Sequence, residues 1–498
     1  MSAVRILAGL AVAMLLAVAG AAGAEDSPAP VAAPADWGQA LVEDARAFHD
    51  MIADSHPGPV DRGNPGFNSL LEAGLRTALE RAKTADSYED WYFALQAYAA
   101  SFDDGHLSLS GYAPMGHAWR AEWPGFLTGL REGRHTVVFS RDPAAPPIGA
   151  VLASCGGQAA DAFAADNVGR GAGRWALASR RAAYAPTLFV DQKNPYVTRP
   201  SACVFEVGGA ARTYHLTWRD LPDAVRDEGF AAARSPRFTT PVELRAFGRD
   251  GGLWIGLGSF RSEAASEEGR QLTALQAAVE AGAADIRQAP LVVFDLRGNN
   301  GGSSSWINGL VRTLWGREWV DAKQPASQQV EWRPSQANID QIVAYHGLLG
   351  DNPDTKRWLG LIEAGLREAL ARGRPLWRQT DGEAEAPGSA AAPTTPMKAR
   401  VYVLTDYGCA SACLDAVDVL KALGAVQVGQ ETSGDTVYME VRYAPLPGGR
   451  VKAGVPMKVY RGRVRGNNET AVPDHAWTGA LGDTAGLEAW ITTIDAAR

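Results

Sequence analysis

The sequence predicts a layered α/β fold, preceded by an N-terminal helical domain and a small β-rich module. Three observations predict it. From about residue 235 onward, strand-like and helix-like segments alternate, the pattern of a sheet with crossover helices. Before that, short β-like runs punctuated by Gly and Pro fill about residues 120–220. Earlier still, apolar residues recur at three- and four-residue steps.

The chain has 498 residues, enough for several domains because one core rarely grows past about 250–300 residues. Its hydrophobic content of 46% and charged content of 21% are those of a globular protein able to bury a large core. The formal net charge of −8 offers no basic footprint, so nucleic acid is not an expected partner. The charge is also too mild for an acidic disordered chain.

Residues 1–24 read as a secretory signal peptide. Arg5 supplies the positive start, Ile6 to Gly20 the apolar run, and Ala22-Gly23-Ala24 a small-x-small cleavage site. A membrane anchor is the competing reading, but the apolar run is short and ends in that cleavage site. No other stretch of about 18 apolar residues occurs, so no stable membrane span is expected after signal removal. The expected location is periplasmic or secreted. All four cysteines (Cys155, Cys203, Cys409, Cys413) lie beyond the leader, where disulfides are permitted. Sequence cannot choose among the three pairings; Cys155 with Cys203 is the favoured one, with Cys409 and Cys413 paired or free. The Cys-x-x-x-Cys spacing lacks a metal-site partner, so no metal is expected; no cofactor is expected either.

Residues 25–36, rich in Ala and Pro, form a tail or linker. From Asp36 to His56, Leu41, Ala45, Phe48 and Ile52 mark a helix, and two more helices follow near 67–83 and 87–101. This helical domain, 25–115, ends in Asp103-Asp104-Gly105-His106 running into an alternating strand. In the β-rich module, 116–232, strands are expected at His135–Phe139, Ile148–Ala153, Cys203–Val207 and Tyr214–Trp218. The core, 233–498, has strands at Leu253–Leu257, Leu291–Leu296 and Arg400–Leu404. Its helices are Glu267–Ala283, Ser303–Leu314 and a helix from 411 to 423. A polar insertion, about 316–398, holds a helical stretch from Thr355 to Arg372 and an exposed loop, Glu383–Thr395.

Ser411 stands where a strand turns into a helix N-terminus. Free amides and the helix dipole favour negative charge there, and the Ala412 amide is placed to form half of an oxyanion hole. A helix cap is the commoner job for such a serine, and the spacing alone favours it. Asp295-Leu-Arg-Gly-Asn-Asn-Gly-Gly302 is a buried strand ending in a glycine loop that opens a helix. Gly301 or Gly302 could lend a second donor; a tight turn without a ligand is the plain alternative. The loop lacks the residues of a Walker motif and the glycine spacing of a dinucleotide fingerprint. Among eight histidines, His106 stands out through its Asp-Asp-Gly turn and following strand.

Together these segments resemble the tail-specific, or C-terminal-processing, serine peptidases, in the branch with tricorn-type proteases and the interphotoreceptor retinoid-binding protein repeats. The matching pieces are Asp104-Gly-His106, Asp295 to Gly302, Cys409-Ala-Ser-Ala-Cys413, Gly429-Gln-Glu-Thr-Ser-Gly-Asp-Thr436 and Pro473-Asp474, in the family's order. The resemblance implies a crotonase/ClpP-like layered core, often preceded by a PDZ-like module. Residues 116–232 are the candidate for it, with Ile148 to Gly157 as a weak match. It also implies a peptide or protein substrate and an acyl-enzyme. The lysine-type members carry a lysine in a segment that here reads Gly434-Asp435-Thr436, so a Ser–Lys dyad does not fit. The tricorn-like arrangement does: Ser411 as nucleophile, His106 as base, and Glu469, 58 residues after Ser411, as the orienting acid. Asp435 and Asp474 are rivals for the acid. The lost lysine and 15 tryptophans leave an alternative, a catalytically weak or inactive binding protein for a hydrophobic ligand or peptide.

Overall fold

The structure is a computed structural model that describes residues 31–112, 117, 120–233, 238–248, 251–260, 266–323, 329–348, 353–379 and 393–497. The signal peptide, and all of the exposed loop 383–395 except 393–395, lie outside the described residues. The chain divides into two compact units. One comprises 1–25, 237–440 and 457–498; the other comprises 26–236 and 441–456.

The first unit is built on a sheet whose strands run in the order Val242–Phe247, Gly252–Leu257, Leu291–Asp295, Arg400–Thr405, Val426–Gly429 and His475–Ala476. The first pair is antiparallel and the rest are parallel. Every residue of Leu291–Asp295 is buried, as a central parallel strand with both faces covered requires. One face packs the helices Glu267–Ala281, Ser305–Trp315 and Ala412–Ala422 around Phe294, Leu310 and Val417. The other face packs the helix Thr484–Ala496 through Leu487 and Ile491. The loops at the C-terminal ends of the parallel strands carry Asp295–Gly302 and Asp406–Ser411, the usual address of an α/β site.

The insertion is more than a polar excursion. Gln336–Leu348 and Pro353–Ala371 form helices, and Val330, Trp332, Ile339, Ile342, Ile362 and Leu366 close a hydrophobic core of their own. Its apolar residues are diluted by charge along the chain, which hid this core in the composition.

In the second unit, the helices Trp37–Ser55, Phe67–Ala82 and Tyr88–Ala100 pack around Leu41, Phe48, Trp91 and Tyr98. Ser87 and Asp90 form a reciprocal capping box that starts the third helix. An antiparallel sheet follows, Phe126–Arg131, Arg134–Ser140, Val151–Cys155, Ala202–Val207 and Ala210–His215, with Cys155 paired to Cys203 directly across two strands. Residues 441–456, which the sequence reading leaves in the core, group with this unit. Lys452–Gly454 pairs with Ser108–Ser110, and Arg450 forms a buried ion pair with Asp44 at 3.1 Å. Long-range strand pairing of this kind leaves no local mark in the sequence.

Candidate active site

The strand Arg400–Thr405 delivers the chain into a tight turn. Asp406, 5% exposed, accepts the Gly408 N–H on Oδ1 at 2.8 Å and the Gly298 N–H on Oδ2 at 2.9 Å. One carboxylate thus ties the turn before Ser411 to the glycine loop. Burial pushes the Asp406 carboxyl up to about 6; the two amides oppose the rise and nearby Asp295 adds to it.

Ser411 itself has φ 56° and ψ −125°, a positive-φ backbone conformation that costs a non-glycine residue about 1–3 kcal/mol. A helix cap has extended backbone and a side chain that accepts an amide; Ser411 has neither, and its hydroxyl makes no capping bond. The geometry therefore departs from the cap that the spacing favours and matches a strained strand-to-helix elbow that presents its hydroxyl. Cys409 and Cys413, both fully buried, are joined across it by a disulfide spanning four residues. Ala412 starts the helix, and among the described residues its N–H has no acceptor.

The opposite wall is the glycine loop. Asp295 and Arg297 are both fully buried and joined by an ion pair of 2.5 Å. Thr240 Oγ1 (2.6 Å) and Trp254 Nε1 (3.2 Å) also donate to Asp295, and Arg297 donates to the Leu481 carbonyl. The Asp-Leu-Arg segment is thus a lock at the strand end. Beyond it the loop turns so sharply onto the elbow that a Cβ on Gly301 would lie 2.6 Å from the Ala410 carbonyl oxygen. It would also lie 2.8 Å from Ser411 Cβ and 3.0 Å from the Ala412 nitrogen. With φ 98° as well, only glycine fits. The Gly301 N–H is engaged by Asn299 Oδ1 at 2.9 Å, whereas the Gly302 N–H makes no hydrogen bond among the described residues. Ser304 Oγ donates to Asp415 Oδ2 at 2.7 Å, a second tie between the two helix starts.

Ser411, Ala412, Gly301 and Gly302 are thus gathered at one place in the first unit. The three candidate acids in that unit have other engagements. Glu469 is exposed and accepts the Gly466 N–H at 2.7 Å. Asp435 is buried and accepts Arg463 and, at 3.1 Å, Arg465 Nη1. Asp474 is exposed and accepts the Gln427 N–H at 2.9 Å, pinning the strand at the sheet edge. His106 belongs to the second unit, where its Nδ1 stands 4.0 Å from Asp104, whose other oxygen faces His56. Sequence reasoning missed Asp406, although an Asp directly after a buried strand and two residues before a glycine is the signal of a turn-capping carboxylate.

Residues 255–462 match the model of peptidase family S41. No curated protein matches the chain. Among solved structures, mature CPAF complexed with lactacystin is 14% identical with a TM-score of 0.56, covering 93% of this chain and 100% of that one. Mature CPAF alone gives the same identity and TM-score, with coverage of 93% and 98%. The photosystem II D1 C-terminal processing protease is 16% identical at a TM-score of 0.33, with coverage of 91% and 96%. At these identities the likeness to CPAF shows a shared fold.

Proposed function

We propose that this chain, whose residues 255–462 match the model of peptidase family S41, is a serine peptidase that works through an acyl-enzyme on Ser411. The observation that carries the assignment is the elbow. Ser411 pays backbone strain to hold an uncapped hydroxyl between two loops built for close approach. In this reading His106 takes the Ser411 Oγ proton as Oγ attacks the scissile carbonyl. The carbonyl oxygen becomes an oxyanion held by the Ala412 N–H and by Gly302, because the Gly301 N–H is already bonded. The same proton then passes to the leaving amine as the C–N bond breaks, leaving the acyl group on Oγ, and water releases it. The resemblance offers Glu469 as the orienting acid; its carboxylate here is exposed and accepts the Gly466 N–H at 2.7 Å, so the orienting role stays open to another carboxylate.

The substrate class is a peptide or protein. Export is supported by the sequence of residues 1–24, and the two disulfides suit an oxidising compartment. We place the protein in the periplasm or outside the cell. No helix among the described residues is long and apolar enough to cross a membrane.

A fluorophosphonate probe tests the assignment. It should label the wild type covalently and fail to label Ser411→Ala at equal far-UV circular dichroism. A folded wild type that takes no label overturns the hydrolase reading.

A further inference from the structure

The turn that carries His106 also carries a carboxylate aimed inward. Asp103, at φ 49°, accepts the Arg174 backbone N–H at 2.6 Å, and the Arg174 guanidinium lies over Gly105, 2.7 Å from where a Cβ would stand. Beneath this cover Asp104 is 8% exposed. Its Oδ1 accepts the His106 backbone N–H at 2.8 Å and stands 4.0 Å from His106 Nδ1. Its Oδ2 stands 3.9 Å from Nε2 of His56, a fully buried imidazole stacked on Phe67 at 4.6 Å between centroids.

The proton on His56 can be placed by its other contact. His56 Nδ1 accepts the Gly58 N–H at 2.8 Å, so that nitrogen is bare and the neutral ring carries its proton on Nε2, facing Asp104. Burial pushes the His56 imidazole down, against the pull of Asp104 and, more weakly, Asp61. For Asp104, burial works to raise the carboxyl; the facing His56 imidazole, the His106 charge and the His106 amide together bring it below its usual range. Asp104 thus stands between two imidazoles, 3.9 Å from His56 Nε2 and 4.0 Å from His106 Nδ1.

A turn-capping aspartate would account for the bond to the His106 amide. It would not account for burial of the charge, which is costly unless the charge is used or paired. Nor would it account for His106 Nδ1, which is buried with no hydrogen-bond partner among the described residues and has Asp104 Oδ1 as its nearby acceptor. At 4.0 Å the pair is longer than a hydrogen bond, and catalytic contacts are often long until substrate binds and tightens them.

We propose that Asp104 is a positioning residue that holds the His106 proton on Nδ1, leaving Nε2 bare to accept the proton of the nucleophile, with His56 bracing the far carboxylate oxygen. The proposal rests on the reading of His106 as the base and assigns to Asp104 the orienting role that the resemblance gives to Glu469. Asp104 stays ionised throughout: the proton gained by His106 goes to the leaving amine and never to the carboxylate.

The test is tautomer assignment by NMR on the full mature chain carrying 15N-labelled histidine, about two units above the ordinary imidazole value of about 6.5. His106→Ala identifies the resonances. Wild type is expected to carry the His106 proton on Nδ1, Asp104→Asn to move most of it to Nε2, and Glu469→Gln to leave it on Nδ1. Asp104→Asn is also expected to lower kcat on the order of 10²–10⁴-fold while KM changes by less than about threefold. A wild-type His106 protonated on Nε2 overturns the proposal whether or not the variant folds. So does an unchanged tautomer in Asp104→Asn, or its reversal by Glu469→Gln alone. Probe labelling of Ser411 reads the peptidase assignment separately. A folded protein without labelling, but with the Asp104-dependent tautomer, defeats that assignment and supports this pairing.

Discussion

Two neighbouring strands of the core sheet end in buried aspartates, and the two ends are stabilised in opposite ways. Asp295 closes Leu291–Asp295, and Asp406 follows Arg400–Thr405; the strands are in register, with Asp295 beside Leu404. Asp295 is matched by a guanidinium, a hydroxyl and an indole N–H. Asp406 has two backbone amides, and its carboxyl is pushed up to about 6. A buried carboxylate matched by a cation is a lock held by charge pairing. One held by amides alone, with its carboxyl pushed up, is a clasp whose charge changes as pH rises through about 6. The lock sits behind the site, where shape must not vary. The clasp sits between the glycine loop and the elbow that together shape the space around Ser411.

Breaking the lock should have the largest effect. Arg297→Met leaves the Asp295 charge buried and unpaired, and a cost of about 3–5 kcal/mol is expected in the urea-unfolding free energy. A loss under about 1 kcal/mol would show that Thr240 and Trp254 suffice and that the two ends are more alike than the geometry indicates.

Next is the point where the loops touch. Gly301→Ala places a methyl group 2.6 Å from the Ala410 carbonyl and demands φ 98° of an alanine. The rate of fluorophosphonate labelling at Ser411 is expected to fall by about 10²–10³-fold, equivalent to about 2.7–4 kcal/mol, through displacement of the amide donors. A labelling rate within about threefold of wild type would mean the loop does not shape the site.

The clasp itself is sharpened by pH. The folded-state value of Asp406, about 6, lies above its ordinary 3.8, so folding favours the protonated form. The associated stability is fully present below pH 3.8 and is lost as pH rises through about 6, up to about 3 kcal/mol in all. Unfolding free energies at about pH 4 and pH 7 should therefore differ less in Asp406→Asn than in wild type. Equal pH dependence in the two proteins would remove Asp406 as the titrating clasp.

How much of this was legible beforehand varies with range. The serine at the strand-to-helix switch, the glycine loop and the His106 turn were each legible as local patterns, because such switches and glycine pairs leave marks within a few residues. The alternation of strands and helices from 253 onward was legible too, and its boundaries in the structure differ by one or two residues. Asp406 was not singled out, because its second partner, Gly298, lies 108 residues away. His56 is 48 residues before Asp104 on a different helix end, so nothing local connects them. The insertion's core escaped notice because its apolar residues close on one another only after two helices pack.

By itself the sequence determined that a serine would stand at a helix start after a buried strand and that glycines would open the facing loop. It also set a histidine two residues after an aspartate at the start of a strand. These follow from local periodicity, turn chemistry and the space a side chain needs. Only the tertiary structure decided that Ser411 is a strained elbow rather than a cap, that Gly301 yields its N–H to Asn299, and that Asp104 is buried between two imidazoles. Those outcomes depend on which groups lose water together. Burial and partner choice are set by contacts between segments far apart in the chain, where no local pattern reaches.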